Sequence, residues 1–160
     1  MNIKIREAAL KDQDAILSVL NEVALHLQSK GIQQWEYPWN EQEIRKEIEK
    51  RHLYVLTLDE KVIATFGMKV IDALADLQIK IGSKYLYQIA ISPEYQGQGI
   101  GAQITAFARR LASPTIYLDC WAGNKKLINF YKRMNFQHLG DFPEEDYFIS
   151  VFQYSKNEEE

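Results

Sequence analysis

Ile3 and Ile5 alternate with polar neighbours, the two-residue period of a short strand, and the period then changes: Ile16, Leu17, Leu20, Val23, Ala24 and Leu27 recur on one face of a helix. Gly31 is a good stop for that helix, because glycine accepts the left-handed conformation that commonly follows one. The connection GIQQWEYPWN sets Trp35, Tyr37 and Trp39 around Pro38, a large aromatic content for a loop. Asn40 with Glu43 three residues on reads as a variant capping box, opening a second helix that carries Ile44 and Ile48.

Tyr54 to Leu58 and Val62 to Met68 are rich in Val, Ile and aromatics, and the polar Asp59, Glu60 and Lys61 between them predict an antiparallel hairpin. Over residues 71–84, Leu74, Leu77 and Ile81 fit a helical turn or an apolar loop equally and stay unassigned. Tyr85 to Ile91 is a strand closed by Pro93. Ile100, Ile104, Phe107, Ala108 and Leu111 form one helical face that ends before Pro114. Thr115 to Cys120 is the next strand. A further helix carries Leu127, Ile128, Tyr131 and Met134, with Asn135 as its left-handed terminal residue. Phe136 to Leu139 and Tyr147 to Tyr154 are the last strands. This order is mixed α/β with an antiparallel first half, a single domain over 1–155 followed by a charged tail at 156–160.

Composition narrows the picture. A chain of 160 residues with 46% apolar and 12% aromatic residues suits one domain with a sizeable core. A formal charge of −3, with both signs mixed along the chain, lacks the massed basic face of a nucleic-acid binder. The lone Cys120 can form no bridge within the chain and MNIKIREAAL lacks the apolar run of a secretory signal, so a reducing, cytoplasmic location is expected. No stretch approaches the roughly 20 apolar residues that cross a bilayer, and no membrane partner is expected.

The chemistry begins at Gln96-Gly97-Gln98-Gly99-Ile100-Gly101, between a strand and an amphipathic helix. A glycine-rich turn there aims successive backbone N–H groups at an anion, and residues without a Cβ let the backbone come close to phosphate oxygens. Gly97, Gly99 and Ala102 also fit G-x-G-x-x-A with Asp119 about 20 residues on, the pattern of an NAD(P)-binding domain. Ser92, Pro93, Glu94, Tyr95 and Gln96 intervene after the strand, however, and about ninety residues precede it, whereas a dinucleotide domain begins at that strand and runs straight into the first glycine.

At these residues the chain resembles the GNAT superfamily of acetyl-coenzyme A dependent N-acetyltransferases, whose signature is Q/R-x-x-G-x-G/A, with Gln96, Gly99 and Gly101 at the signature positions. YQIAISPEY is similar to the strand and loop that lead into it, and LDCWAGNKKLINFYKRMNF to the next strand and helix. The resemblance extends over nearly the whole chain in element order. It implies a mostly antiparallel central sheet, helices on both faces, and a V-shaped split between two parallel strands. It also implies that the edge at Ile89, Ala90 and Ile91 bonds the pantetheine arm. The pyrophosphate would rest on the N–H groups of Gln96, Gly97, Gln98, Gly99, Ile100, Gly101 and Ala102, at the positive end of the helix dipole. Asn124 and Tyr131 are seven residues apart, close to two helical turns, and project from one face. By resemblance Asn124 contacts the cofactor and Tyr131 lies near its sulfur as general acid; as residues alone they read equally as an N-cap and a core aromatic.

Implied partners are acetyl-coenzyme A as cosubstrate, with no metal, and an amine-bearing acceptor attacked directly in a ternary complex; a homodimer is left open. A silent acetyl-coenzyme A sensor is the alternative, against which the presence of Tyr131 counts. Many relatives carry a glutamate on the strand before the signature, but Tyr85, Leu86, Tyr87 and Gln88 offer no carboxylate. Glu36, Asp72, Asp146 and His26 are base candidates by position or chemistry only. Cys120 as an acetyl carrier lacks a neighbouring histidine, and a cysteine ending an apolar strand is commonly a small buried hydrophobe. Trp35, Tyr37 and Trp39 either wall the acceptor pocket or pack their loop onto the core.

Overall fold

The computed structural model describes residues 2–32, 35–111 and 114–156. Gln33 and Gln34 of the aromatic loop, and all of the expected tail but Lys156, lie outside these residues. Seven strands, β1 (Ile3–Glu7), β2 (Leu53–Leu58), β3 (Lys61–Val70), β4 (Lys84–Ile91), β5 (Thr115–Trp121), β6 (Gln137–Glu144) and β7 (Tyr147–Ser155), form one sheet in the order β1-β2-β3-β4-β5-β7-β6. The helices are α1 (Gln13–Ser29), α2 (Glu41–Glu49), α3 (Ile100–Arg110) and α4 (Lys125–Arg133). Ladders β1/β2, β2/β3, β5/β7 and β6/β7 are antiparallel and β4/β5 is parallel, so the sheet is mixed and mostly antiparallel, as expected. The parallel ladder is two pairs long, Lys84 with Ile116 and Tyr85 with Tyr117.

The chain groups into two compact units, Met1–Met68 with Gln88–Ile104 and Lys69–Tyr87 with Thr105–Glu160. In the first, the helical periodicities translate into burial: Ile16, Leu20 and Val23 of α1 pack with Ile44 and Ile48 of α2 against Leu53 and Val55. Gly31 takes φ +78° after α1, and the Asn40 side chain accepts from the Glu43 N–H at 3.0 Å, which is the N-cap half of the expected capping box. The β2–β3 hairpin turns through Asp59 and Glu60, both at positive φ. Between β1 and α1, buried Asp12 accepts two bonds from the Arg6 guanidinium, at 2.7 and 3.0 Å, and one from the Ala9 N–H at 2.8 Å.

In the second unit β5 pairs with β7 along its whole length, and burial of Ile116, Leu118 and Cys120 gives it a core face. Strand β6 runs to Glu144, beyond the Leu139 end read from the sequence. Gly140 at φ +138° sits at a register shift against β7, and this bulge interrupts the two-residue period. The unassigned 71–84 segment is a loop, tied by the Ile71 N–H to the Ser83 carbonyl at 2.9 Å and by an isolated Leu74–Leu77 bridge. Its helical spacing has no core behind it, for Ile81 is 98% exposed. Helix α4 buries Ile128 and Tyr131 and is followed by Asn135 at φ +69°.

Candidate active site

The glycine loop belongs wholly to the first unit. Strand β4 does not reach it as a regular strand: Gln88 adopts φ +51°, and its side-chain oxygen is buried without a hydrogen-bond partner. After Ile91, Pro93–Tyr95 makes one tight turn. Buried Ser92 fixes that turn, donating its N–H to Ile63 at 2.9 Å and its hydroxyl to Glu22 at 2.6 Å. Two glutamine side chains then brace the loop, Gln96 Nε2 on the Ile91 carbonyl at 3.0 Å and Gln98 Nε2 on the Glu94 carbonyl at 3.1 Å. Gly97 and Gly99 take φ of +79° and +82°, and a Cβ at either would meet nothing within 4 Å. Glycine is therefore required there by conformation rather than by space. Gln96 to Gly99 are exposed, and at the start of α3 the Gln103 N–H donates to the Gly99 carbonyl at 3.2 Å.

The second unit holds the remaining predicted residues. Asn124 caps α4, its Oδ1 accepting from the Leu127 N–H at 3.1 Å, which leaves its amide group as a donor. Tyr131 is buried, with its ring 5.5 Å from that of Phe152, and burial raises its phenol pKa. Cys120 is buried too; burial and the carboxylates of Asp119 and Asp141 push its thiol up to about 12. A buried thiol that keeps its proton is a poor nucleophile, which counts against an acetyl-cysteine route.

Sequence reasoning missed the contact between Tyr85 and Asp119. The Tyr85 hydroxyl donates to both Asp119 carboxylate oxygens, at 2.9 and 3.0 Å. The two lie on neighbouring parallel strands, and the signal is a tyrosine and an aspartate, each partly buried, one on each strand; the sequence pattern alone offers Asp119 only as a ribose-binding acid. Burial raises the pKa of Asp119, Tyr85 lowers it and Glu144 raises it, for a net rise. These residues open into a cleft of about 370 Å³ whose walls include Lys69, Leu74, Glu144 and Tyr147.

In the aromatic loop, Trp35 and Trp39 pack against the core of the first unit, edge to face at 5.5 Å, while Tyr37 is about half exposed. Of the base candidates, Glu36, Asp72 and Asp146 are exposed and His26 is partly buried. Among the described residues no group of three or more His, Cys, Asp or Glu is placed to hold a metal, and no helix is long and apolar enough to cross a membrane.

A mostly antiparallel sheet carrying a glycine loop at the start of α3 defines the class. A model of the acetyltransferase (GNAT) family matches residues 21–136, and the chain belongs to that family. It is similar to the uncharacterized N-acetyltransferase YesJ of Bacillus subtilis, with 29% identity over 145 residues, 83% of this chain and 81% of that one. Among solved structures it resembles a GNAT-family acetyltransferase of Streptococcus agalactiae (TM-score 0.83, 21% identity, 98% and 96% of the two chains covered). A second likeness is to one of Listeria monocytogenes (TM-score 0.78, 23% identity, 96% and 95% covered). The protein is thus an acetyltransferase by family, and the dinucleotide-binding alternative falls.

Proposed function

We propose that this chain transfers the acetyl group of acetyl-coenzyme A to a primary amine by direct attack in a ternary complex. The observation that carries this reading is the braced loop: two left-handed glycines, exposed, at the N-terminus of α3. Such a loop offers N–H groups and a helix dipole to a pyrophosphate. Ile89, Ala90 and Ile91 follow the irregular Gln88 on β4, where main-chain groups would bond the pantetheine amides, and the unpartnered Gln88 oxygen is an acceptor at the same place. Asn124 through its amide and Tyr131 through its hydroxyl keep the cofactor-contacting and acid roles that the family resemblance gives them. Of the aromatic loop, Tyr37 is the residue most available to an acceptor; Trp35 and Trp39 serve the core first.

A ligand selective for the folded state raises the melting temperature. Acetyl-coenzyme A should do so and NADH should not, and a panel of amines should release free coenzyme A thiol. Stabilisation by NADH with no response to coenzyme A overturns the reading.

A further inference from the structure

The acetyl-transfer reading leaves one chemical demand unmet. An alkylamine has a pKa near 10, so at neutral pH it arrives as ammonium and must lose a proton before its nitrogen can attack. Strand β4 carries no carboxylate, but the neighbouring strand does. Asp119 is partly buried and bonded to a neutral phenol, and among the described residues no cation pairs with it. Buried Asp12, by comparison, has the Arg6 guanidinium. Lys69, which lines the same cleft, sits over the Tyr87 ring at 4.7 Å, and that ring stacks on Tyr85 at 5.4 Å. The cleft that Asp119 faces also carries Glu144 and the ring of Tyr147, with Leu74 and Ile149 as apolar wall. At about 370 Å³ it is sized for a small molecule rather than a protein surface. Two carboxylates against one lysine make its lining negative, and aromatic faces favour a cation.

We infer that this cleft receives the acceptor as a small primary alkylammonium, and that Asp119 takes the ammonium proton. The inference rests on the acetyl-transfer reading above. In the step, R–NH3⁺ gives one proton to the Asp119 carboxylate, which passes it to solvent. The free amine then attacks the thioester carbonyl, the C–N bond forms, and the C–S bond breaks with its electron pair leaving on sulfur. The nitrogen's second proton balances the one that converts the departing thiolate to thiol. Tyr85 is the positioning residue: its bonds to both oxygens fix the carboxylate plane. Anionic acceptors such as acidic amino acids are disfavoured by the same charges.

Groups that bear on the titration of Asp119 come from every neighbouring element: Tyr85 of β4, Cys120 beside it on β5, Glu144 of β6, Tyr147 of β7 and Tyr131 of α4, with Lys69 lining the same cleft. Burial and Glu144 lift the Asp119 pKa toward working pH, which suits a general base.

The test is calorimetric titration of 1,4-diaminobutane and of glutamate into the full chain, with and without coenzyme A, together with acetyl transfer against pH. The parent should bind the diamine and not glutamate. Asp119→Asn should weaken diamine binding at least about tenfold, lower kcat/KM about a hundredfold or more, remove the acid limb of the pH profile, and leave coenzyme A affinity unchanged. Should that variant not fold, the exposed Glu144→Gln serves: diamine affinity falls several-fold with the fold intact. Equal diamine binding by parent and variant, or a preference for glutamate, overturns the inference. Loss of coenzyme A binding by the parent instead overturns the acetyl-transfer reading, and the diamine titration without coenzyme A then decides the cleft alone.

Discussion

The side-chain amide of Gln96 closes a ring onto the carbonyl of Ile91 at 3.0 Å, so the first signature residue reaches back to the end of the strand that precedes the loop. Its visible task is to hold the loop, and in the proposed site the phosphate contacts would fall to the backbone that it positions. Gln96→Ala should therefore lower acetyl-coenzyme A affinity about tenfold while changing stability by no more than about 1 kcal/mol, the worth of one exposed hydrogen bond. Calorimetry and denaturant unfolding of the same variant check both halves.

Gly99 separates conformation from charge. Its φ of +82° costs any other residue about 1–2 kcal/mol, although the space around it is open. Gly99→Ala is expected to lose about that much stability or to shift the loop. In the proposed site, Gly99→Glu would set a carboxylate against the cofactor phosphates and should abolish coenzyme A binding in a folded protein. Unchanged coenzyme A affinity in the folded Glu variant would show that the phosphates sit elsewhere.

Tyr131→Phe keeps a buried ring packed on Phe152 and removes only the hydroxyl. In the proposed role of proton donor to the departing thiolate, Tyr131 would act in the transition state, so turnover should fall on the order of a hundredfold with cofactor affinity little changed. Burial holds its phenol above the ordinary tyrosine value, so the basic limb of the pH profile should not come from its ionisation. Turnover within about twofold of the parent, where chemistry limits the rate, would reduce Tyr131 to packing.

Asp12 sets part of the acid stability. The bond from Arg6, with those from Ala9 and the nearby charges, holds its carboxyl below the ordinary 3.8. A depressed carboxylate pKa contributes stability that is present above the unfolded value and is lost as pH falls through the folded one. Asp12→Ala should cost about 1.5–3 kcal/mol at neutral pH, the worth of charged hydrogen bonds, and flatten the decline of stability below about pH 4. Urea unfolding of parent and variant between pH 3 and 7 reads both effects.

Elements whose partners are close in sequence were legible in it. The face of α1, the Asn40 cap and the Asp59–Glu60 turn each follow from a handful of adjacent residues and came out as read. The left-handed glycines of the loop were legible for the same reason, since a backbone conformation is a local property. What stayed hidden depends on distant pairing: the bulge at Gly140, the left-handed Gln88 inside a strand, and the Tyr85–Asp119 bond across 34 residues. Side-chain periodicity reports which face is buried, but not which strand lies alongside, and an aspartate on β5 acquires its meaning only from the neighbour it is given.

The two interleaved units also set an order of events during synthesis. The first is complete in sequence once Ile104 has been made, whereas Lys69–Tyr87 belongs with partners that are translated only afterwards. At roughly 5–20 residues per second, the β5 partners of that segment arrive seconds later, although its β3 neighbour has already been made. The nascent protein thus passes through an interval in which the early unit can collapse while Tyr85 has no Asp119 to bind, and this stretch is where chaperones or premature association would find it.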